Sequence, residues 1–419
     1  MTPSTQTVRL DNGLRLVAAQ AAHRPVTALD IAAGSRNDPP ALLGLAHLVE
    51  HLMFPRGGPS QVLGSHTALI EAAGGTCGAT TYRDHTSFHT MVPSREADTL
   101  YRQEASRLLH FAPTPEQLRT EVRVIAQEIR EAGTGPLRLP VDRIRARLVD
   151  HGHNGFGDTT HLAHATLQQV HRFHSHHYGL EHTVVAIVGP DAPSRTLARA
   201  ARRFAPLPAR PGALSPDATT TAVPAHPASV LTQFPGPAPS PTVLAVGYLL
   251  PPPEPGRPEC TAQLVLAEHL NRTVLPQLTR RTPGLLTARW THGYYGEPFH
   301  TIEPDLAHCS MLLDPLGNPR GVTTALQSEL HRIAYSGPGE PDLRRAAGAL
   351  QLAHWQRKDA AAEHARMLSR YALLYDDADW LEHLPRAIQG ITTEAVQHAA
   401  RTLLHGPHAA EILNGGNLR

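Results

Sequence analysis

Between Ala41 and Phe54 the chain reads ALLGLAHLVEHLMF, and its three polar side chains, His47, Glu50 and His51, fall on one stripe of an otherwise apolar helical segment. At about 3.6 residues per turn, positions i, i+3 and i+4 share a face, so two imidazoles and a carboxylate converge within about 6 Å. The rest of the segment demands burial and takes the three polar groups inside with it. Unpartnered, such a trio costs several kcal/mol to bury. A divalent metal with a water beside it suits all three, and a zinc site is the reading this segment favours.

The chain has 28 histidines, so a His-x-x-Glu-His string is cheap in it: about 0.1 such strings are expected by chance. Context carries more weight. A structural zinc site usually closes its fourth position with Cys, whereas a catalytic one takes three His or carboxylate ligands and leaves a position to water. A third ligand is therefore owed. In Thr120–Glu131 (TEVRVIAQEIRE), Val122, Val124, Ile125 and Ile129 recur at helical spacing, with Glu121 and Glu128 seven apart on one face. Either can reach a metal.

With these residues in hand the sequence resembles the pitrilysin-type inverzincins, a family that includes insulysin and the mitochondrial processing peptidases and carries the inverted zincin motif. In that family the third ligand is a Glu well downstream of the motif, with another Glu one helical repeat before it; Glu128 and Glu121 stand at those positions. The likeness extends to Leu10-Asp11-Asn12-Gly13-Leu14-Arg15 as an opening strand and turn, Ala33-Gly34-Ser35-Arg36 as a strand end, Gly44-Leu45-Ala46-His47 as the start of the motif helix, and Gly74-Gly75 to Thr86 as the segment bearing a substrate-pairing strand. Phe204 to Pro208 resembles the end of a first domain. The match covers most of the chain and is strongest before residue 210.

The resemblance implies an α+β fold of two similar domains, each an antiparallel-rich sheet covered by helices on one side, forming half of a clam-shell chamber. It implies one zinc ion per chain, held by His47, His51 and Glu128. Glu50 is then the catalytic residue, taking a proton from water as it attacks a peptide carbonyl. Glu121 orients a ligand from behind; read without the resemblance, it is a solvated helix carboxylate. An exposed strand from Thr76 to Thr81, through Gly78 and Ala79, is expected to bind extended peptide by strand addition.

Length and composition fit this frame. A chain of 419 residues is too long for one ordinary core and predicts two domains of about 200 residues. We place them at 1–207 and 230–419, joined by a linker at 208–229 rich in Pro, Ala and Thr. The first ends with a buried strand at Val184–Val188 and a helix from Ser194 to Phe204. The second should hold a strand near Thr242–Leu250, a helix from about Glu259 to Thr279, a strand near Cys309–Leu313 and three further helical stretches. No apolar run approaches about 20 residues, so no membrane span is expected and the protein is placed in the cytoplasm. Cys77, Cys260 and Cys309 are odd in number and scattered, implying no disulfide framework. A net charge of +1 without a basic stripe argues against nucleic acid as a partner. Lys358 is the single lysine, a mark of base composition.

Several positions depart from the family pattern. Glu268-His269 echoes Glu50-His51, but Val265 stands where the first His belongs, so one zinc site is expected. The family's second domain lends an Arg and a Tyr around a Gly-Leu pair to grip substrate; aligned on Gly284-Leu285, Arg280 takes the Arg position and Thr287 that of the Tyr, with Tyr294 and Tyr295 nearby. Because short members of the family divide labour between subunits, the missing phenol points to a heterodimer in which a homologous partner supplies Arg and Tyr. A homodimer using Tyr294, Tyr295 or no phenol is the competing arrangement. Gly78-Ala79 replaces Asn-Ala, removing an amide near the peptide, and His182 replaces an Asn. The histidines at 171, 174, 176, 177 and 182 read as a helix end exposing imidazoles rather than a second metal site, and Cys77 as a small buried hydrophobe. The function these features imply is a zinc-dependent endopeptidase acting on peptides or a precursor leader; the alternative is a non-hydrolytic zinc-binding scaffold or interaction subunit of a peptidase complex.

Overall fold

The computed structural model describes residues 5–22, 24–53, 66–132, 138–149, 155–209, 231–234, 241–315 and 317–413. Its first half runs β1 (Thr5–Arg9), β2 (Arg15–Gln20), β3 (Val26–Ile31), α1 (Leu45–Met53), α2 (His66–Ala72), β4 (Thr76–Thr81), β5 (Thr86–Met91), α3 (Ala97–Leu109), α4 (Pro115–Ala132), α5 (Arg138–Leu148), α6 (Thr159–Ala163), α7 (Leu167–His177), β6 (Thr183–Gly189) and α8 (Pro193–Phe204). The second half runs β7 (Leu231–Phe234), β8 (Thr242–Leu250), α9 (Pro258–His269), α10 (Leu275–Arg281), β9 (Leu285–His292), β10 (Asp305–Leu313), α11 (Pro319–Ser336), α12 (Glu340–Asp359), α13 (Ala361–Tyr375), α14 (Trp380–Gln389), α15 (Thr393–His405) and β11 (His408–Leu413). A π-helical turn, Leu270–Val274, joins α9 to α10. Where three helical stretches were expected after β10, five are present, because Ala360 and the Asp376–Asp377 turn break the apolar pattern into shorter rods.

The fold is α+β, with two sheets of matching design. The first has the order β1-β2-β6-β3-β5-β4 and the second β7-β11-β8-β10-β9. In each, one parallel pair, β2 with β6 and β7 with β11, sits beside an otherwise antiparallel run. No described helix is long and apolar enough to cross a membrane.

The division into two compact units does not fall at a single point in the chain. The first unit comprises residues 1–129, 155–219 and 356–381, and the second the remainder. The proline-rich stretch read as a linker lies, from residue 210 onward, outside the described residues. Two helices therefore cross over: α5, from the first half, packs on β8 and β11, and α13, from the second half, packs on β3, β5 and β6. Helical periodicity announces that a face is buried without saying against which sheet, which is why a single boundary at 207 was expected.

Helices also cover the first sheet on both faces rather than one. Every residue of β3 and β6 is buried. On one face Leu29, Ile31, Val185 and Ile187 join Leu45, Leu48, Val49 and Leu52 of α1 in the core. On the other, Asp30 looks toward Arg366, Ser369 and Arg370 of α13. Burial lifts the Asp30 carboxyl to about 6, against the pull of Ser87 and the two arginines.

Candidate metal centre

The site begins where α1 begins. Asp38 caps the helix, accepting from the Gly44 and Ala46 amides at 2.6 and 2.7 Å. Gly44 has φ +97° and lies against Gly157, φ +107°; a Cβ on Gly157 would stand 2.6 Å from the Gly44 Cα. Only two glycines permit this approach. It brings the carbonyl of Phe156 to 3.2 Å from His47 Nδ1.

One helical turn on, His51 Nδ1 meets the Glu121 carboxylate of α4 at 3.0 Å. Both imidazoles thus have an acceptor at Nδ1, which places the proton there and leaves the Nε2 lone pairs facing inward. The two Nε2 atoms are 3.2 Å apart, with no hydrogen to share, and Glu128 Oε2 is 3.6 Å from the first and 3.5 Å from the second. Donors placed tetrahedrally about zinc at about 2.1 Å lie about 3.4 Å apart. The donor triangle of His47, His51 and Glu128 has that size, and it is the metal-competent group found among the described residues. A cation also suits the field: burial alone would lower the His51 pKa, but the Glu121 hydrogen bond and the charges of Glu50, Glu128 and Glu121 raise it instead.

Glu50 lies on the same stripe, buried, and outside the triangle. Its Oε2 accepts from Thr81 Oγ1 at 2.7 Å. Thr81 ends β4, which among the described residues pairs with β5 alone and forms an edge of the first sheet. Cys77 and Ala79 pack against the core beneath α1, so Gly78 belongs to the opposite face. There the residue opposite it, His89, leans across: a Cβ at position 78 would sit 2.8 Å from His89 Cε1 and 3.0 Å from Nε2. Glycine at 78 answers this close approach, a reason the sequence could not display.

Other expected residues lie on other elements. Arg280 lies in the last turn of α10, in the second unit, and is exposed, as is Thr287 on β9. Tyr294 donates from Oη to Asp142 at 2.5 Å and accepts from Arg138 at 3.1 Å, with Arg145 stacked 3.9 Å over its ring, so it fastens α5 to the second sheet. The histidines of α7 are not all exposed: His174 is buried between Phe111 and Tyr178, with ring centroids at 4.0 and 4.9 Å. The Asp38 cap, the Phe156 carbonyl and Thr81 went unread in sequence. The Gly-Phe-Gly run at 155–157 was the available signal for the second of these.

Residues 16–150 match the family described as Insulinase (Peptidase family M16), and residues 164–350 match its Peptidase M16 inactive domain. Coenzyme PQQ synthesis protein F of Klebsiella pneumoniae is 36% identical over 136 residues, 31% of this chain and 17% of that protein. An uncharacterized zinc protease of Mycobacterium bovis is 27% identical over 185 residues, 43% of this chain and 42% of its relative. These matches span less than half the length of either relative. A protease from Helicobacter pylori shares the fold with TM-score 0.84 over 98% of this chain and 99% of its own, at 16% identity. The periplasmic protease PqqL from Escherichia coli does so with TM-score 0.74 over 99% of this chain but 48% of its own, at 20% identity. With the matched regions running from β2 to α12 and a His-His-Glu donor set inside the first of them, the chain belongs to peptidase family M16, the insulinase or pitrilysin family of zinc metallopeptidases.

Proposed function

We propose that this chain is a zinc endopeptidase that hydrolyses peptides bound in extended form, acting as the zinc-bearing subunit of a heterodimer with a homologous chain. The observation that carries hydrolysis is Glu50, a buried carboxylate beside the donor triangle but not part of it, aimed by Thr81. When bound, zinc supplies a Lewis acid that brings the pKa of a water toward neutrality and polarises a peptide carbonyl. Glu50 has the proton-transfer role: its carboxylate takes the proton of the attacking water and hands it to the leaving amine. Glu121 keeps the His51 proton on Nδ1, and the Phe156 carbonyl does the same for His47. The unpaired edge of β4 offers backbone donors and acceptors to an extended peptide, through Gly78 and Ala79. Replacing Glu50 by Gln tests the reading: zinc content should stay near one ion per chain while peptide hydrolysis disappears, and undiminished hydrolysis would refute it.

The heterodimer rests on the second unit. Thr287 is a threonine where a phenol is expected, and the Tyr294 hydroxyl is committed to Asp142. The longer PqqL chain, in which this fold accounts for 48% of the length, has room for a second half that a short chain must find elsewhere. The exposed Arg280 is then available to substrate or to the partner's centre. Measuring the native mass of the active species decides the matter; a mass equal to a multiple of this chain alone sinks the division of labour.

A further inference from the structure

His89 is half-buried on β5, and neither ring nitrogen has a hydrogen-bond partner among the described residues. Its Cε1 and Nε2 edge lies over the Cα of Gly78, in the room that any other side chain at 78 would fill. Among the described residues no strand pairs with β4 beyond Gly78, so the imidazole reaches toward the outer edge of β4. Burial, reinforced by the Arg366 charge, lowers the His89 pKa to about 4, so the ring stays neutral and offers one donor and one acceptor.

In an antiparallel pair, residues opposite each other point their side chains to the same face, with strands about 4.8 Å apart. A peptide added to β4 would therefore set the side chain opposite Gly78 on the face that His89 occupies. With glycine between them, nothing separates that side chain from the imidazole edge. On the other face the peptide would meet Ala79 and Thr81, on the side of the donor triangle.

We infer that His89 is a specificity-determining residue: it recognises, across Gly78, a hydrogen-bonding side chain of the carboxamide or carboxylate class at one position of the extended peptide. This rests on the reading of β4 as the peptide-pairing edge. Arg366, itself held by Glu363 at 2.7 Å, adds a positive field behind the ring and extends the preference to carboxylates.

The test uses the zinc-loaded full-length chain carrying Glu50→Gln, so that peptides are bound without being cut. Fluorescent decapeptides built from Ala and Val, with one Gln, Glu or Leu moved along them, are titrated by anisotropy. Gln or Glu at a single position should bind about five- to tenfold tighter than Leu, as one hydrogen bond in a half-buried setting allows. Adding His89→Phe should abolish that preference, and His89→Gln should keep it. Gly78→Ala, which retains the imidazole but pushes it aside, should flatten the preference as well and serves if the Phe variant folds poorly. Peptides that bind with the same order of affinities in all variants overturn the inference and leave the peptidase reading standing. If no peptide binds to any variant, β4 is not the pairing edge and the inference falls, while the peptidase reading is decided separately by the Glu50→Gln comparison on the active species.

Discussion

α1 and α9 each follow a central strand of their sheet, β3 and β8, and each carries a Glu-His pair in its C-terminal half, yet one builds a metal centre and the other a core. In α9 the position matching His47 is Val265, fully buried. Glu268 turns outward to Arg272, and His269 is buried with neither nitrogen partnered among the described residues. Around α1, by contrast, each polar side chain of the stripe has a neighbour: Phe156 and Glu121 hold the two Nδ1 atoms, Thr81 holds Glu50 Oε2, and Glu128 closes the triangle. What separates a site from its counterpart is this surrounding set of acceptors and donors more than the string on the helix.

The sharpest way to break the comparison is to treat the two Glu-His pairs alike. Glu50→Gln should lower peptide hydrolysis about a thousandfold, within the range expected for loss of a positioned general base, with zinc content unchanged. Glu268→Gln should leave both untouched. Matched losses in steady-state hydrolysis would mean that the second helix also takes part in the chemistry.

The crossing helices offer a second comparison. Each lays arginines against a buried carboxylate of its sheet: Arg366 and Arg370 of α13 near Asp30, and Arg147 of α5 on Glu411 at 2.8 Å. Burial raises both carboxyls, but Glu411 has a direct ion pair to offset it. For Asp30 the sign is definite. Its folded value of about 6 lies above the ordinary 3.8, so its contribution to stability is complete below pH 4 and is lost as pH climbs through 6. The loss amounts to about 3 kcal/mol at the conversion of about 1.4 kcal/mol per pH unit. Urea unfolding of wild type and Asp30→Asn at pH 4.5 and 7.5 checks this: the variant should gain on the wild type as pH rises. A gap that does not move with pH would remove Asp30 from the account. Glu411→Gln should show the same sign with a smaller slope.

The next effect in size concerns zinc itself. Glu121→Gln leaves an acceptor near His51 but removes its charge, and second-shell changes of this kind cost about 10–100-fold in metal affinity. Competition with a chelator measures it. An affinity equal to that of wild type would leave Glu121 a buried contact of His51 with no part in holding the metal.

How much of this was legible follows from what each signal depends on. The polar stripe of α1 and the seven-residue spacing of Glu121 and Glu128 are local, and both stood open in the sequence because helical period alone sets them. The edge strand Thr76–Thr81 was expected at the bounds it has. Contacts between distant segments were not legible. Nothing near His47 announces that a carbonyl 109 residues away will meet it, nor does Gly78 announce the ring of His89. The same holds for α13, whose apolar face reads equally well against either sheet.

The smallest expected effect tests whether those long-range contacts matter singly. Thr81→Val keeps the volume of the side chain and removes its hydroxyl, leaving Glu50 Oε2 without the 2.7 Å bond that aims it. Zinc affinity should be unchanged, since Thr81 touches none of the three donors. Hydrolysis should fall about tenfold, the value of one hydrogen bond to a charged acceptor, and the fall should appear in kcat rather than KM because Glu50 acts on the water and the leaving group, not on the bound peptide. A change confined to KM would instead assign Thr81 to the pairing of β4 with substrate, and Glu50 would then be aimed by its helix alone.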